Sequence, residues 1–101
     1  AVVLKPRPNS FHETDLLDML RDAGVVNVTI CGAMTQMCVD ATTRAAVDFG
    51  FKATVVSDAC GAKAGSFDGI DVPAEVMQAA FLAPLAMSYA KVVTTKEALD
   101  G

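Results

Sequence analysis

The chain has 101 residues, too few for more than one domain, and 52% of them are hydrophobic. Its net charge is -4 and its 8 Lys and Arg residues are scattered, which argues against a nucleic-acid binder because phosphate contacts need clustered basic side chains. No apolar run is long enough for a membrane span. The three cysteines are an odd number and lack the C-x-x-C spacing of zinc sites, so a reduced, cytoplasmic setting is expected.

The hydrophobic fraction is high for so short a chain. Small domains bury a smaller share of their surface than large ones, so they have less room for apolar side chains. We therefore expect the chain to be part of a longer polypeptide or one member of a tight assembly, either a homo-oligomer or a complex with a missing N-terminal half.

The first half of the chain alternates between strand and helix patterns. An apolar run at residues 2–5 predicts a strand that ends before Pro6, since proline can continue neither a sheet ladder nor a helix. Helical spacing of apolar positions predicts a helix at 14–24, and a β-branched run predicts a buried strand at 25–31. A second helix is predicted at 36–49.

The second half continues the same alternation. Its predicted elements are, in order, a strand at 53–57, a loop at 58–71, a helix from Pro73 and a strand at 91–95. The spacing of Thr94 and Glu97 is that of a capping box, which predicts a final short helix. Continuous apolar strands separated by helices indicate a parallel sheet with helices on both faces. The predicted fold class is therefore α/β, a Rossmann-like three-layer α/β/α arrangement that is incomplete in this chain.

Cys38 is the first candidate for chemistry. Ligand sites in parallel sheets lie beyond the carboxyl ends of the strands, and Cys38 falls there, in the first turn of the helix that follows a buried strand. Backbone N–H groups in that turn lack an intrahelical partner and can hold an oxyanion, and a helix N-terminus favours a reactive thiolate. The alternative is a small buried hydrophobe, which is the usual role of a free cysteine.

Lys5 strengthens the catalytic interpretation of Cys38. It ends the first predicted strand and is therefore expected at the same edge of the sheet as Cys38. An ammonium group near a thiol favours the thiolate and can also carry a proton. By itself Lys5 would be an ordinary surface lysine, so only the two residues together indicate a catalytic site.

These motifs resemble the second half of the isochorismatase-like cysteine hydrolases, a superfamily that includes nicotinamidases and N-carbamoyl amidohydrolases. The matching segments extend over nearly the whole chain, at residues 3–5, 9–11, 14–17, 32–39 and 58–60. The family pattern is a lysine that ends one strand, a loop with a phenylalanine, and G-x-x-T-x-x-C-V after the next strand. Thr42 matches a threonine that recurs four residues past the cysteine. The resemblance implies that residues 1–101 are the C-terminal part of a single domain.

The resemblance also implies roles for individual residues. The family uses an Asp, Lys and Cys triad, in which Lys5 and Cys38 fill two places. The aspartate ends the first strand of the full domain, which has no counterpart here. Asp58 also follows a strand, but the aspartate at that position is not the catalytic acid of the family, so Asp58 is a weak candidate for a substitute. The family further implies a cis peptide between Ala33 and Met34, with the Met34 and Cys38 N–H groups forming the oxyanion hole.

Three more residues are expected to line the substrate pocket: Phe11, Thr35 and Gln36. Core packing is the alternative for Phe11. No cofactor is expected. No metal ligand is predicted in this chain either, since nicotinamidases bind their metal through the first half of the domain.

The cysteine also narrows the predicted reaction. True isochorismatases cleave an enol ether and lack a cysteine at this position, so Cys38 implies acyl transfer through a thioester, on a small amide or carbamoyl substrate. Two alternatives stay open. One is a non-catalytic small-ligand or nucleotide-binding module, in which the helix start at Thr35 binds an anion. The other is an inactive fragment whose open sheet edge drives association.

Overall fold

The structure is a computed structural model that describes residues 1–101. Its strands are β1 Asn27–Ala33, β2 Lys52–Gly61, β3 Gly65–Phe67, β4 Ile70–Val72 and β5 Ala90–Val93. Its helices are α1 Leu16–Asp22, α2 Asp40–Asp48, α3 Ala74–Ser88 and α4 Thr95–Asp100, and a π-helical turn at Thr35–Val39 leads into α2. Strands β1, β2 and β5 form a parallel sheet in that order, and β3 pairs with β4. The predicted α/β class with a parallel sheet is confirmed.

Helices α2 and α3 form the crossovers between the parallel strands. Because α2 joins β1 to β2 and α3 joins β2 to β5, right-handed crossovers place both helices on one face of the sheet. The core lies beneath them, where Val55 of β2 and Leu85 of α3 are 0% exposed. Side chains alternate along a strand, so Thr54 faces the opposite side, where it borders α4 in a shallow cleft.

Strand β2 is longer than predicted. Its first residues pair with β1 from Asn27 opposite Lys52, and after a bulge the ladder resumes with Gly32 opposite Cys60. The predicted loop at 58–71 is therefore wrong over most of its length, because β2 extends to Gly61 and the β3–β4 hairpin follows. Small residues carry little strand signal, and it is the ladder from β1 that keeps them extended.

The predicted strand at residues 2–5 is absent. These residues belong to no sheet, and the side chains of Val2 and Leu4 are 89% and 88% exposed. The apolar pattern identified a segment suited to a sheet, but a strand needs a neighbour to hydrogen-bond with. In this chain the strands of the sheet pair only with one another.

The predicted helices are present with adjusted limits. The capping box of α4 is confirmed, since Thr94 Oγ1 accepts from the Glu97 N–H at 3.2 Å and Glu97 Oε1 accepts from the Thr94 N–H at 3.0 Å. The helix predicted at 36–49 begins with the π-helical turn rather than with α-helix. The longest helix, α3, has 15 residues, and none of the helices combines the length and apolarity needed to cross a bilayer.

Candidate active site

The turn between β1 and α2 carries Cys38. The peptide bond between Ala33 and Met34 is cis. The Met34 carbonyl accepts hydrogen bonds from the N–H groups of Met37 at 3.0 Å and Val39 at 3.2 Å, which closes the wide π-helical turn. The Met34 N–H donates to no group within the chain. Cys38 lies in this turn and is half-buried, so its thiol reaches the surface.

A hydrogen-bond chain fastens this turn to α3. Thr35 is 0% exposed, and its hydroxyl donates to Gln78 Oε1 at 2.6 Å. The Gln78 amide donates in turn to the carbonyls of Ser57 at 2.9 Å and Cys60 at 3.4 Å. Gln78 thus joins the first residue of the turn to the end of β2. The sequence did not predict a role for Gln78, because its partner Thr35 lies 43 residues away in the chain.

Lys5 reaches Cys38 from the segment that precedes α1. Its Nζ donates to Cys38 Sγ at 3.3 Å, to the Arg7 carbonyl at 3.1 Å and to the Pro8 carbonyl at 3.4 Å. Each of the three ammonium protons therefore has an acceptor. Lys5 is exposed and does not end a strand as predicted, yet the structure brings its charge against the thiol.

Cys38 and Lys5 open onto one small cleft. It has a volume of ≈ 160 Å³ and is lined by Lys5, Ser10, Ile30, Cys31, Gly32, Ala33, Cys38, Val39 and Thr42. The lining contains no carboxylate, and Lys5 is its only cationic side chain. Ser10, Ile30 and Cys31 were not predicted as site residues. The only sequence signal for them is their position near strand ends or in the loop after Lys5.

The three residues expected to line the substrate pocket lie outside this cleft. The Phe11 ring packs against Phe49 and Phe51, with centroids 5.3 Å and 6.3 Å apart, in agreement with the core-packing alternative. Thr35 is buried against Gln78, as described above. The Gln36 amide donates to the Lys63 carbonyl at 2.7 Å, which ties the loop after β2 to the π-helical turn.

Asp58 is engaged elsewhere. Its carboxylate accepts from both the N–H and the hydroxyl of Thr95, each at 2.7 Å, at the start of α4. These bonds, first the one from the side chain and then the one from the backbone, hold the pKa of Asp58 below its ordinary value. Asp58 does not line the cleft, so the structure gives no support to it as a substitute for the family aspartate.

The remaining cysteine outside the cleft is Cys60. Burial raises the pKa of its thiol above the ordinary value, which disfavours the thiolate. No group of three or more His, Cys, Asp and Glu side chains is arranged to hold a metal ion.

Comparison with known proteins identifies a consistent set of relatives. The model of the Isochorismatase domain matches residues 1–97. An uncharacterized isochorismatase family protein of Bacillus subtilis is 44% identical over 95 residues, which are 94% of this chain and 53% of that protein. Two shorter matches cover little more than half of this chain. A streptothricin hydrolase of Streptomyces noursei is 41% identical over 57% of this chain and 23% of that protein. A ureidoacrylate amidohydrolase of Acinetobacter baylyi is 36% identical over 58% of this chain and 24% of that protein.

Solved structures agree with these matches. A crystal structure of an isochorismatase hydrolase candidate from Oleispira antarctica superimposes with a TM-score of 0.97 at 48% identity, over 100% of this chain and 54% of that one. A cysteine hydrolase from Pseudomonas syringae gives a TM-score of 0.95 at 32% identity, over 99% and 47% of the two chains. The chain thus spans about half the length of the relatives that it matches over its whole extent.

Proposed function

Because this chain belongs to the isochorismatase family, we propose that it forms part of a cysteine hydrolase that cleaves the C–N bond of a small amide or carbamoyl group. The observation that carries the proposal is the 3.3 Å hydrogen bond from Lys5 Nζ to Cys38 Sγ. A cation held against a thiol at the mouth of a cleft is the arrangement expected of an activated nucleophile. A cysteine that merely filled space would have no need of it.

In the proposed reaction, the Cys38 thiolate attacks the carbonyl carbon of the substrate. A C–S bond forms, and the carbonyl oxygen becomes an oxyanion that the N–H groups of Met34 and Cys38 stabilise. The C–N bond then breaks, and the nitrogen leaves as ammonia or an amine after it takes a proton. Water adds to the thioester, which releases the carboxylic or carbamic acid and regenerates the thiol.

Lys5 has two parts in this scheme. Its ammonium group stabilises the thiolate before attack, and it keeps the thiol oriented toward the cleft through the hydrogen bond. The aspartate that the family resemblance implies takes the proton of the Cys38 thiol and passes it to the leaving nitrogen. It would come from outside the residues of this cleft, since no carboxylate lines it.

The relatives favour an amide substrate. Two relatives are named for hydrolysis of streptothricin and of ureidoacrylate, and the second is an amidohydrolase by name. We carry over the amide chemistry to this chain and not either substrate.

Replacement of Cys38 tests the proposal in a protein that holds this chain within its complete domain. We expect Cys38→Ala and Cys38→Ser to abolish turnover of a panel of small amides, with a stability loss of only about 1 kcal/mol because little apolar volume is removed. Cys60→Ala is the matched control, since Cys60 is also half-buried but lies outside the cleft. Turnover that persists in a folded Cys38→Ala variant would show that Cys38 is not the nucleophile.

A further inference from the structure

We infer that Thr42 is a positioning residue that fastens the Lys5 segment to α2 and so holds the Lys5 ammonium against Cys38. The inference rests on the proposed function, in which Lys5 activates the thiol. It goes beyond that function by identifying the contact that fixes the flexible Lys5 side chain, whose segment belongs to no strand.

The Thr42 hydroxyl forms three hydrogen bonds, all to the segment that carries Lys5. It accepts from the Ser10 N–H at 3.0 Å. It lies 3.0 Å from Ser10 Oγ and 3.3 Å from the Pro8 carbonyl. A hydroxyl has one proton and two acceptor lone pairs, so it donates to Pro8 and accepts both bonds from Ser10. Its hydrogen-bonding capacity is fully used.

The Pro8 carbonyl links Thr42 to Lys5. This one oxygen accepts from the Thr42 hydroxyl at 3.3 Å and from Lys5 Nζ at 3.4 Å. The Thr42 hydroxyl therefore holds in place an oxygen to which the Lys5 ammonium also donates. On the other side of the same ammonium is Cys38 Sγ, at 3.3 Å.

The two anchor points lie close together in the chain. Cys38 is in the π-helical turn Thr35–Val39, and Thr42 is four residues later in α2, which follows that turn directly. Both residues are half-buried and both line the cleft. The thiol and the hydroxyl that positions its cation thus face one cleft from two consecutive helical segments.

Lys5 needs such an anchor because the rest of its segment is loosely held. Residues 2–5 have no ladder hydrogen bonds, and Val2 and Leu4 are almost fully exposed. A lysine side chain also has large rotamer freedom, which must be given up wherever its charge is to stay in one place. The Phe11 ring packs against the body of the chain, but it lies beyond Ser10, so Thr42 is the polar anchor nearest to Lys5.

The test uses two neighbouring threonines. Thr42→Val removes the hydroxyl and keeps the shape. Thr43→Val is the matched control, since Thr43 is 0% exposed and its Oγ1 has no hydrogen-bond partner. The readout is the rate of Cys38 alkylation by iodoacetamide at pH 7, compared with that of Lys5→Met. Cys31 and Cys38 share one tryptic peptide, residues 22–44, so fragment-ion mass spectrometry assigns the modified cysteine.

We expect Thr42→Val to slow Cys38 alkylation at least threefold, roughly, toward the rate of Lys5→Met, while Thr43→Val alkylates like the wild type. Thr42→Ser keeps the hydroxyl and should restore the rate. In the double variant Lys5→Met/Thr42→Val, the second change should add nothing, because residues that act through one another are not additive. Thr42→Ala, with its high helix propensity, replaces Thr42→Val if the latter misfolds.

Two results would overturn the inference, and they differ in what else they refute. If Lys5→Met slows alkylation but folded Thr42→Val and Thr42→Ala do not, Thr42 has no positioning role while the proposed function stands. If Lys5→Met itself alkylates at the wild-type rate, the activating role of Lys5 fails and that of Thr42 fails with it.

Discussion

At the scale of single residues, Lys5 shows how a charge can be fixed without burial. Its side chain is exposed, but all three of its protons are bound, one by a thiol and two by backbone carbonyls. An exposed ion pair contributes little to stability. The arrangement therefore matters for the chemistry of Cys38 more than for folding.

Lys5→Met deletes this charge and keeps an unbranched side chain of similar length. We expect alkylation of Cys38 at pH 7 to slow about tenfold, because the thiolate loses its neighbouring cation. The melting temperature should stay nearly constant, since Lys5 packs against little. Lys52→Met, which changes an exposed lysine at the start of β2, is the control and should leave the rate unchanged. A normal alkylation rate in Lys5→Met would place the functional cation elsewhere.

The sequence predicted that Cys38 and Lys5 follow strand ends at one edge of the sheet, and the structure brings the two side chains together. Lys5 follows no strand in the structure. It could still be located, because the family pattern identifies this residue independently of secondary structure. Gln78 was beyond such reasoning. Its contact with Thr35 depends on how α3 crosses the sheet, and neither periodicity nor spacing specifies which polar residue of a helix meets a buried hydroxyl.

At the scale of elements, apolar patterning located the sheet but not all of its limits. The strands at the centre of the chain were predicted within a few residues, since their β-branched runs are continuous. Residues 2–5 have the same pattern and form no strand, because pairing depends on a neighbour that patterning does not supply. The β3–β4 hairpin was missed for the opposite reason: short exposed strands such as 65–67 carry no core signal.

Helix α4 depends on its N-terminal contacts. It has 6 residues, too few to be stable through its own hydrogen bonds. The capping box satisfies part of its first turn, and the Asp58 carboxylate accepts the Thr95 N–H and hydroxyl. A negative charge at this end also interacts favourably with the helix dipole.

Asp58→Asn tests this dependence through pH. The folded state lowers the pKa of Asp58, so the ionised carboxylate contributes stability above its unfolded pKa, about 3.9, and that stability is lost as the pH falls through the lower folded value. We expect Asp58→Asn to melt at a lower temperature than wild type at pH 7, with the difference shrinking toward pH 3. Asp71→Asn, an exposed carboxylate on β4, is the control. A constant difference from pH 7 to pH 3 would contradict the ionic contribution.

At the scale of the whole molecule, many apolar side chains have no partner within the chain. Of 101 residues only 10 are buried, although 52% are hydrophobic. The most exposed large apolar residues are spread over several elements: Val2 at 89%, Leu4 at 88%, Phe67 at 83%, Met87 at 83% and Leu99 at 82%. Because a small chain has little room to bury its apolar side chains by itself, we propose that the chain acts within a larger assembly.

The composition of the cleft leads to the same proposal. The residues that line it supply a thiol, a cation and hydroxyl groups but no carboxylate. The family triad requires an acid, and members of a catalytic triad act as a unit, so loss of one lowers the rate by orders of magnitude. We therefore propose that the acid of the complete site comes from outside the residues that line this cleft.

We predict that the isolated 101-residue chain alkylates at Cys38 but hydrolyses no small amide at an ordinary enzymatic rate. Addition in trans of the part of the Oleispira antarctica protein that this chain does not cover should restore turnover, since the two folds superimpose with a TM-score of 0.97. Light scattering after size-exclusion chromatography should then show a one-to-one complex. The control is the same added part with the triad aspartate that the family resemblance implies changed to asparagine, and it should bind without restoring turnover. A well-behaved monomer of the isolated chain that turns over amides would show that these residues contain a complete site, with an acid outside the cleft, Asp58 first, acting as the missing carboxylate.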